Sequence, residues 1–237
     1  MTKIRKKLTL GPALLLCLAV SLSQGEIEAV TGGQSAGQTP APRAGQAGRP
    51  TSTPYAGDLS VFEYPDRAKK LHVDRVMDLL GISRGKVVAD IGAGSGWFTV
   101  RAAARVGLSG AVYAEDINPK AIQHIAERAS REKLKNVRPT LGSVDDTKLP
   151  LRSLDAVLIL KTYHEFEHPI PLMEKLKLSL KPKAKIGIID HNGDGANHGI
   201  MPKIVEHEMA QAGFKLVGKY DFTKSDGEEY FLIFVAN

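Results

Sequence analysis

The 237 residues carry 32 Lys and Arg against 26 Asp and Glu, a size that accommodates one folded core with additions and excludes two full-sized domains. The formal charge of +6 falls to +2 once Lys3, Arg5, Lys6 and Lys7 are set aside, so charge gives no ground for a nucleic-acid partner. The single cysteine, Cys17, excludes an internal disulfide framework.

Residues 1–7 hold four cations and no acid, and residues 8–23 form a Leu-rich apolar run. That is the layout of a signal peptide, here assigned to residues 1–25, with Ser23 and Gly25 as the small residues before the cut. The run is short of the roughly 20 residues of a membrane span and contains Gly11 and Pro12, so an uncleaved anchor is the alternative and the only membrane contact expected. An exported, periplasmic protein follows, and its mature chain has no thiol. Residues 26–58 are dominated by Gly, Ala, Gln, Thr, Ser and Pro, which bury too little to fold and read as a disordered linker. The folded domain is expected over residues 59–237.

A first helix is predicted from Asp66, with Val73, Val76, Met77 and Leu80 at helical spacing and Gly81 as its stop. Strands follow at residues 86–91, 111–116, 137–141, 155–160 and 185–190, and helices at 97–106, 119–129, 172–180 and 203–212. Asn118 and Pro119 read as a helix cap and first turn. Alternation of this kind predicts a doubly wound, mostly parallel α/β sheet. Pro139 requires its strand to lie at an edge, because proline cannot donate to a ladder. The rhythm breaks at the end, where residues 214–222 and 230–236 form two successive strands and therefore an antiparallel hairpin. That makes seven strands.

Asp90-Ile-Gly92-Ala-Gly94-Ser-Gly96 joins the first of these strands to a helix, where glycines admit a ligand to the backbone and helix amides face it. Asp116 ends the second strand, beside the loop in such a sheet, and its carboxylate suits a ribose diol. A nicotinamide fingerprint needs Gly or Ala where Trp97 stands, which disfavours an oxidoreductase.

Residues 88–98, Val-Ala-Asp-Ile-Gly-Ala-Gly-Ser-Gly-Trp-Phe, and residues 112–119, Val-Tyr-Ala-Glu-Asp-Ile-Asn-Pro, resemble the first two motifs of class I S-adenosylmethionine-dependent methyltransferases. Tyr163-His-Glu-Phe166 is similar to a stretch in bacterial members with signal segments. The resemblance spans nearly all of residues 61–237 and implies a Rossmann-like fold and S-adenosyl-L-methionine as cofactor. It implies that Gly92, Gly94 and Gly96 border the methionine part with Asp90 orienting it, that Asp116 holds the ribose hydroxyls, and that an acid after the third strand meets adenine. Gly142 is followed by Ser143 at that point, so Asp145 is the choice. The implied partner is a small-molecule methyl acceptor.

Methyl transfer demands mainly positioning, with a base only for a protonated acceptor. The fourth strand delivers residues 161–165 to the carboxyl edge. His164 is the leading base candidate, with Tyr163 beside it, and His191 next to Asp190 is the second. The alternative for His164 is a structural hydrogen bond to a backbone carbonyl, and for Asp190 and His191 a loop turn ahead of Asn192, Gly193, Asp194 and Gly195. No metal is expected, since His168, Asp190 and His191 would ligate one only if two loops converged. Without a thiol, thiolate-dependent methylation of pyrimidine rings or arsenic is not expected. Two rivals remain. One is a catalytically silent S-adenosylmethionine-binding module, consistent with export away from the cytosolic source of the cofactor, and the other is a nicotinamide enzyme.

Overall fold

A computed structural model describes residues 49–237. The signal-peptide assignment and residues 26–48 of the expected linker lie outside the described residues. The rest of that linker does not read as a free spacer. Residues 49–58 lie against the domain, with Ser52 only 3% exposed and Arg49 paired to Glu208 at 2.8 Å.

After a 3-10 turn at Leu59–Phe62, the expected first helix is two helices, α1 (Arg67–Lys70) and α2 (Val73–Leu80). His72 between them adopts φ 52°, a left-handed conformation that no helix can run through. The four apolar residues named above are the buried face of α2. The alternation continues with β1 (Val87–Ile91), α3 (Trp97–Val106), β2 (Ala111–Asp116), α4 (Pro119–Arg131), β3 (Val137–Leu141) and β4 (Leu154–Leu160). No helix separates β3 from β4. Then come α5 (Pro169–Ser179), β5 (Leu180–Asp190), α6 (Pro202–Gln211), β6 (Phe214–Tyr220) and β7 (Tyr230–Ala236). Strand β5 begins five residues earlier than its apolar run at 185–190, because Leu180 already pairs with Leu154 ahead of a register shift.

The seven strands take the order β3-β2-β1-β4-β5-β7-β6. The first five are mutually parallel, and β7 pairs antiparallel to both β5 and β6. Strand β3, with Pro139, is at the edge as proline requires. Two apolar layers hold the sheet. Side chains of α2, α3 and α4, including Val76, Phe98 and Ile125, pack on one face, and those of α5 and α6, including Met173 and Met209, pack on the other. Connections from β1 and β4 leave in opposite directions, so a crevice opens at their carboxyl ends.

Candidate active site

That crevice is a cavity of about 650 Å³, within the range of small-ligand sites. Its floor is the turn from β1 into α3. Gly92, Gly94 and Gly96 have φ of 67°, 53° and 74°, which costs glycine little and most residues more. A Cβ at Gly92 would collide with the Thr162 side chain. Thr162 therefore keeps Gly92 bare, and both residues line the cavity.

Two acids fix this turn. Asp90, at the end of β1, accepts from the Thr99 hydroxyl at 2.6 Å, and burial pushes its carboxyl up to about 6. Asp116, ending β2, accepts from the amides of Gly94 at 2.9 Å and Asn118 at 2.8 Å. Each oxygen keeps a lone pair for a further donor. Asn118 caps α4 through Lys120, as its position next to Pro119 predicts. Both acids and the three glycines except Gly96 line the cavity.

The structure adds groups that sequence reasoning missed. Glu115 also lines the cavity and is 3% exposed. Burial first, and then neighbouring Asp116, pushes it up to about 8. A side chain at Gly142 would occupy the place of the Glu115 carboxyl. Arg67 of α1 is a buried cation on the wall, 3.7 Å from Asp226. Its guanidinium stacks over the Trp97 ring at 4.3 Å, with Arg101 over the same ring at 4.0 Å, and its Nε has no hydrogen-bond partner. The strap of residues 51–56, together with Phe62, forms the remaining wall.

The other predicted residues are placed differently. Asp145 does not line the cavity. The turn at Ser143 and Asp146 sends it outward to pair with the His168 ring at 2.7 Å, while Ser143 and Val144 face inward. None of Tyr163, His164 and His191 lines the cavity either. Residues 163–165 form a 3-10 turn, whose side chains fan out about a third of a circle apart, and Glu165 is the one that reaches the wall. Tyr163 is fully buried, and burial, reinforced by Glu208, holds its hydroxyl well above its ordinary range.

His164 is 3% exposed, and its Nδ1 lies 2.9 Å from both oxygens of Asp190. The His191 and His198 rings pack against it at 6.0 and 5.7 Å. His191 stands 3.8 Å from Glu228, which raises its pKa, and Glu228 is paired with Lys161 at 2.6 Å. Burial pushes Glu165 up to about 7. His168 pairs with Asp145 instead, and it belongs to no group with metal-ligand spacing among the described residues. Two groups of side chains have metal-ligand spacing, namely His164, Glu165 and His198, and Asp190, His191 and Glu228.

A parallel sheet ending in a β7 hairpin, with a glycine turn and an acid at the ends of β1 and β2, defines the class I methyltransferase fold. A sequence model described as a methyltransferase domain matches residues 82–229, and the chain belongs to that family, as an S-adenosylmethionine-dependent methyltransferase.

Solved structures with this fold include an S-adenosylmethionine-dependent methyltransferase from Aquifex aeolicus, 24% identical, with a TM-score of 0.69 over 77% of this chain and 100% of that one. The [4+2]-cyclase SpnF is 14% identical with a TM-score of 0.60, covering 79% of this chain and 85% of its own. Coclaurine N-methyltransferase, bound to N-methylheliamine and S-adenosylhomocysteine, is 16% identical with a TM-score of 0.54, covering 72% and 55%. At these identities the likeness shows the fold alone. A tRNA (guanine(37)-N(1))-methyltransferase from Pyrococcus abyssi is 35% identical over 103 residues, 43% of this chain, and the match spans only 30% of that relative's length.

Proposed function

We propose that this methyltransferase acts on a small-molecule acceptor. The observation that carries the reading is the enclosure of the cavity, which the chain's own residues 51–56 and Phe62 wall off opposite the glycine turn. A space of about 650 Å³ suits a cofactor with a compact acceptor beside it. The same chain carries an amino-terminal signal layout, and we include export to the periplasm in the proposal.

The residues present fit the cofactor. Bare backbone at Gly92, with Gly94 and Gly96, borders the methionine part, and Asp90 holds the turn through Thr99. Arg67, whose Nε makes no hydrogen bond and stands 3.7 Å from Asp226, is the cation for a carboxylate at that end. Asp116 grips the ribose hydroxyls. Ile117, Ser143 and Val144 enclose the adenine end, where Glu115 is the acid present in place of Asp145. When bound, the cofactor supplies a methyl group on a cationic sulfur, and the protein's task is to hold the acceptor in line with it. Thr162, Glu165, Phe166 and Tyr55 form the wall that would orient the acceptor.

The test is to give the full chain S-adenosylmethionine labelled in its methyl group, with either a deproteinised small-molecule cell extract or total tRNA. Label should enter the small-molecule fraction and leave tRNA unlabelled. Label entering tRNA instead would overturn the acceptor class.

A further inference from the structure

At the cavity wall, three side chains from two segments of the chain meet. His164 and Glu165 come from the turn after β4, and His198 from the loop after β5. One ligating atom of each lies within 4.8 Å of the others. We propose that they form a binding site for a divalent first-row metal ion of the zinc class, with Asp190 as the carboxylate that orients His164.

The first argument is the orientation of His164. Its Nδ1 lies 2.9 Å from both Asp190 oxygens, so Nδ1 is the donor of that pair and Nε2 is the nitrogen that offers a lone pair to a metal in the neutral ring. A carboxylate behind a histidine in this way is the usual outer partner of a metal-bound imidazole, fixing ring orientation and raising its basicity. Asp190 is itself fully buried and pinned by the amides of His191 at 3.0 Å and His164 at 3.3 Å.

The second argument is Glu165. Its side chain is 16% exposed, and its one ion-pair contact among the described residues is His164, Nε2 to Oε1, at 3.9 Å. A largely buried carboxylate without a Lys or Arg partner is costly, and a cation between it and Nε2 removes that cost. Tetrahedral zinc sets nitrogen and oxygen ligands about 3.4 Å apart, so small side-chain rotations close the gap.

The third is the way His198 is delivered. It sits at φ 62°, a left-handed conformation that is strained for a non-glycine residue, and its amide donates to Ser52 Oγ at 2.6 Å. That places its ring edge-on to His164, centroids 5.7 Å apart. Two histidines and a glutamate are a recognised zinc donor set that leaves one position open. Glu165 also lines the cavity, so the ion would sit in the cavity wall.

The site is tested on the full chain, stripped with a chelator, by calorimetric titration with Zn²⁺ and by the visible spectrum with Co²⁺. One equivalent should bind, with the absorption of a tetrahedral cobalt site. His198 is exposed, so His198→Ala should leave the fold intact while weakening binding by about 100-fold or more, and Asp190→Asn should weaken it by about 10- to 100-fold. His168→Ala serves as the control and should bind as the unaltered chain does. The absence of stoichiometric binding, or unchanged affinity in His198→Ala, would overturn the site. Loss of binding in His191→Ala with His198→Ala unaffected would do the same, by assigning the ion to Asp190, His191 and Glu228.

Discussion

Glu115 and Asp116 are adjacent on β2 yet differ in legibility. Asp116 is readable from sequence because the motif spacing places it at the strand end beside the glycines. Glu115 is not, since a residue one step earlier on a strand ordinarily faces the other way, and only the bare backbone at Gly142 makes room for its carboxyl. Its pKa rises from an ordinary 4.5 to about 8 on folding, chiefly through burial and next through Asp116. The folded chain then holds a proton that the unfolded chain has lost between those values. Stability should therefore fall as pH rises from about 4.5 to about 8, the unfolded state binding fewer protons there. Glu115→Gln should flatten that slope. Urea unfolding at about pH 5 and about pH 8 is the check, and identical slopes in the two proteins would rule out the buried acid. Asp145 misleads for a related reason, because distance after a strand does not reveal which way a loop turns.

Elements were legible where periodicity is strong. The amphipathic α2, the glycine turn, the edge position of β3 and the β6–β7 hairpin all follow from apolar spacing and from where Pro and Gly fall. What escapes is structure without a period. Residues 49–58 have the composition of a spacer, and their place in the fold rests on single contacts. Arg49 donates to Glu208 at 2.8 Å and to the Tyr163 carbonyl at 2.8 Å, and Ser52 Oγ donates to the Gly195 carbonyl at 2.9 Å. No propensity encodes such contacts. The turn at 163–165 escapes likewise, since reaching the carboxyl edge does not determine which of three successive side chains meets the cavity. Arg49→Ala should release the strap and leave Glu208 without its cation, lowering stability by about 1–3 kcal/mol. S-adenosylhomocysteine should then leave the cavity several-fold faster in stopped-flow. An unchanged dissociation rate would show that the strap does not close the site.

For the molecule as a whole, the fold and the family agree with the order of elements, while the acceptor and the destination rest on proposals of different kinds. Export rests on residues 1–25. Fusing residues 1–58 to a reporter active only outside the cytosol should give signal, and a silent reporter, with the intact protein in the soluble cytosol, would end that reading. The central claim concerns the cavity between β1, β2 and β4, where Asp116 is fixed by two backbone amides in position for a ribose diol. Calorimetry of S-adenosylhomocysteine binding tests it most directly. The full chain should bind one equivalent, and Asp116→Ala should lose roughly 1.5–3 kcal/mol, the worth of a hydrogen bond to a charged group. Equal affinity in the two proteins would contradict the account.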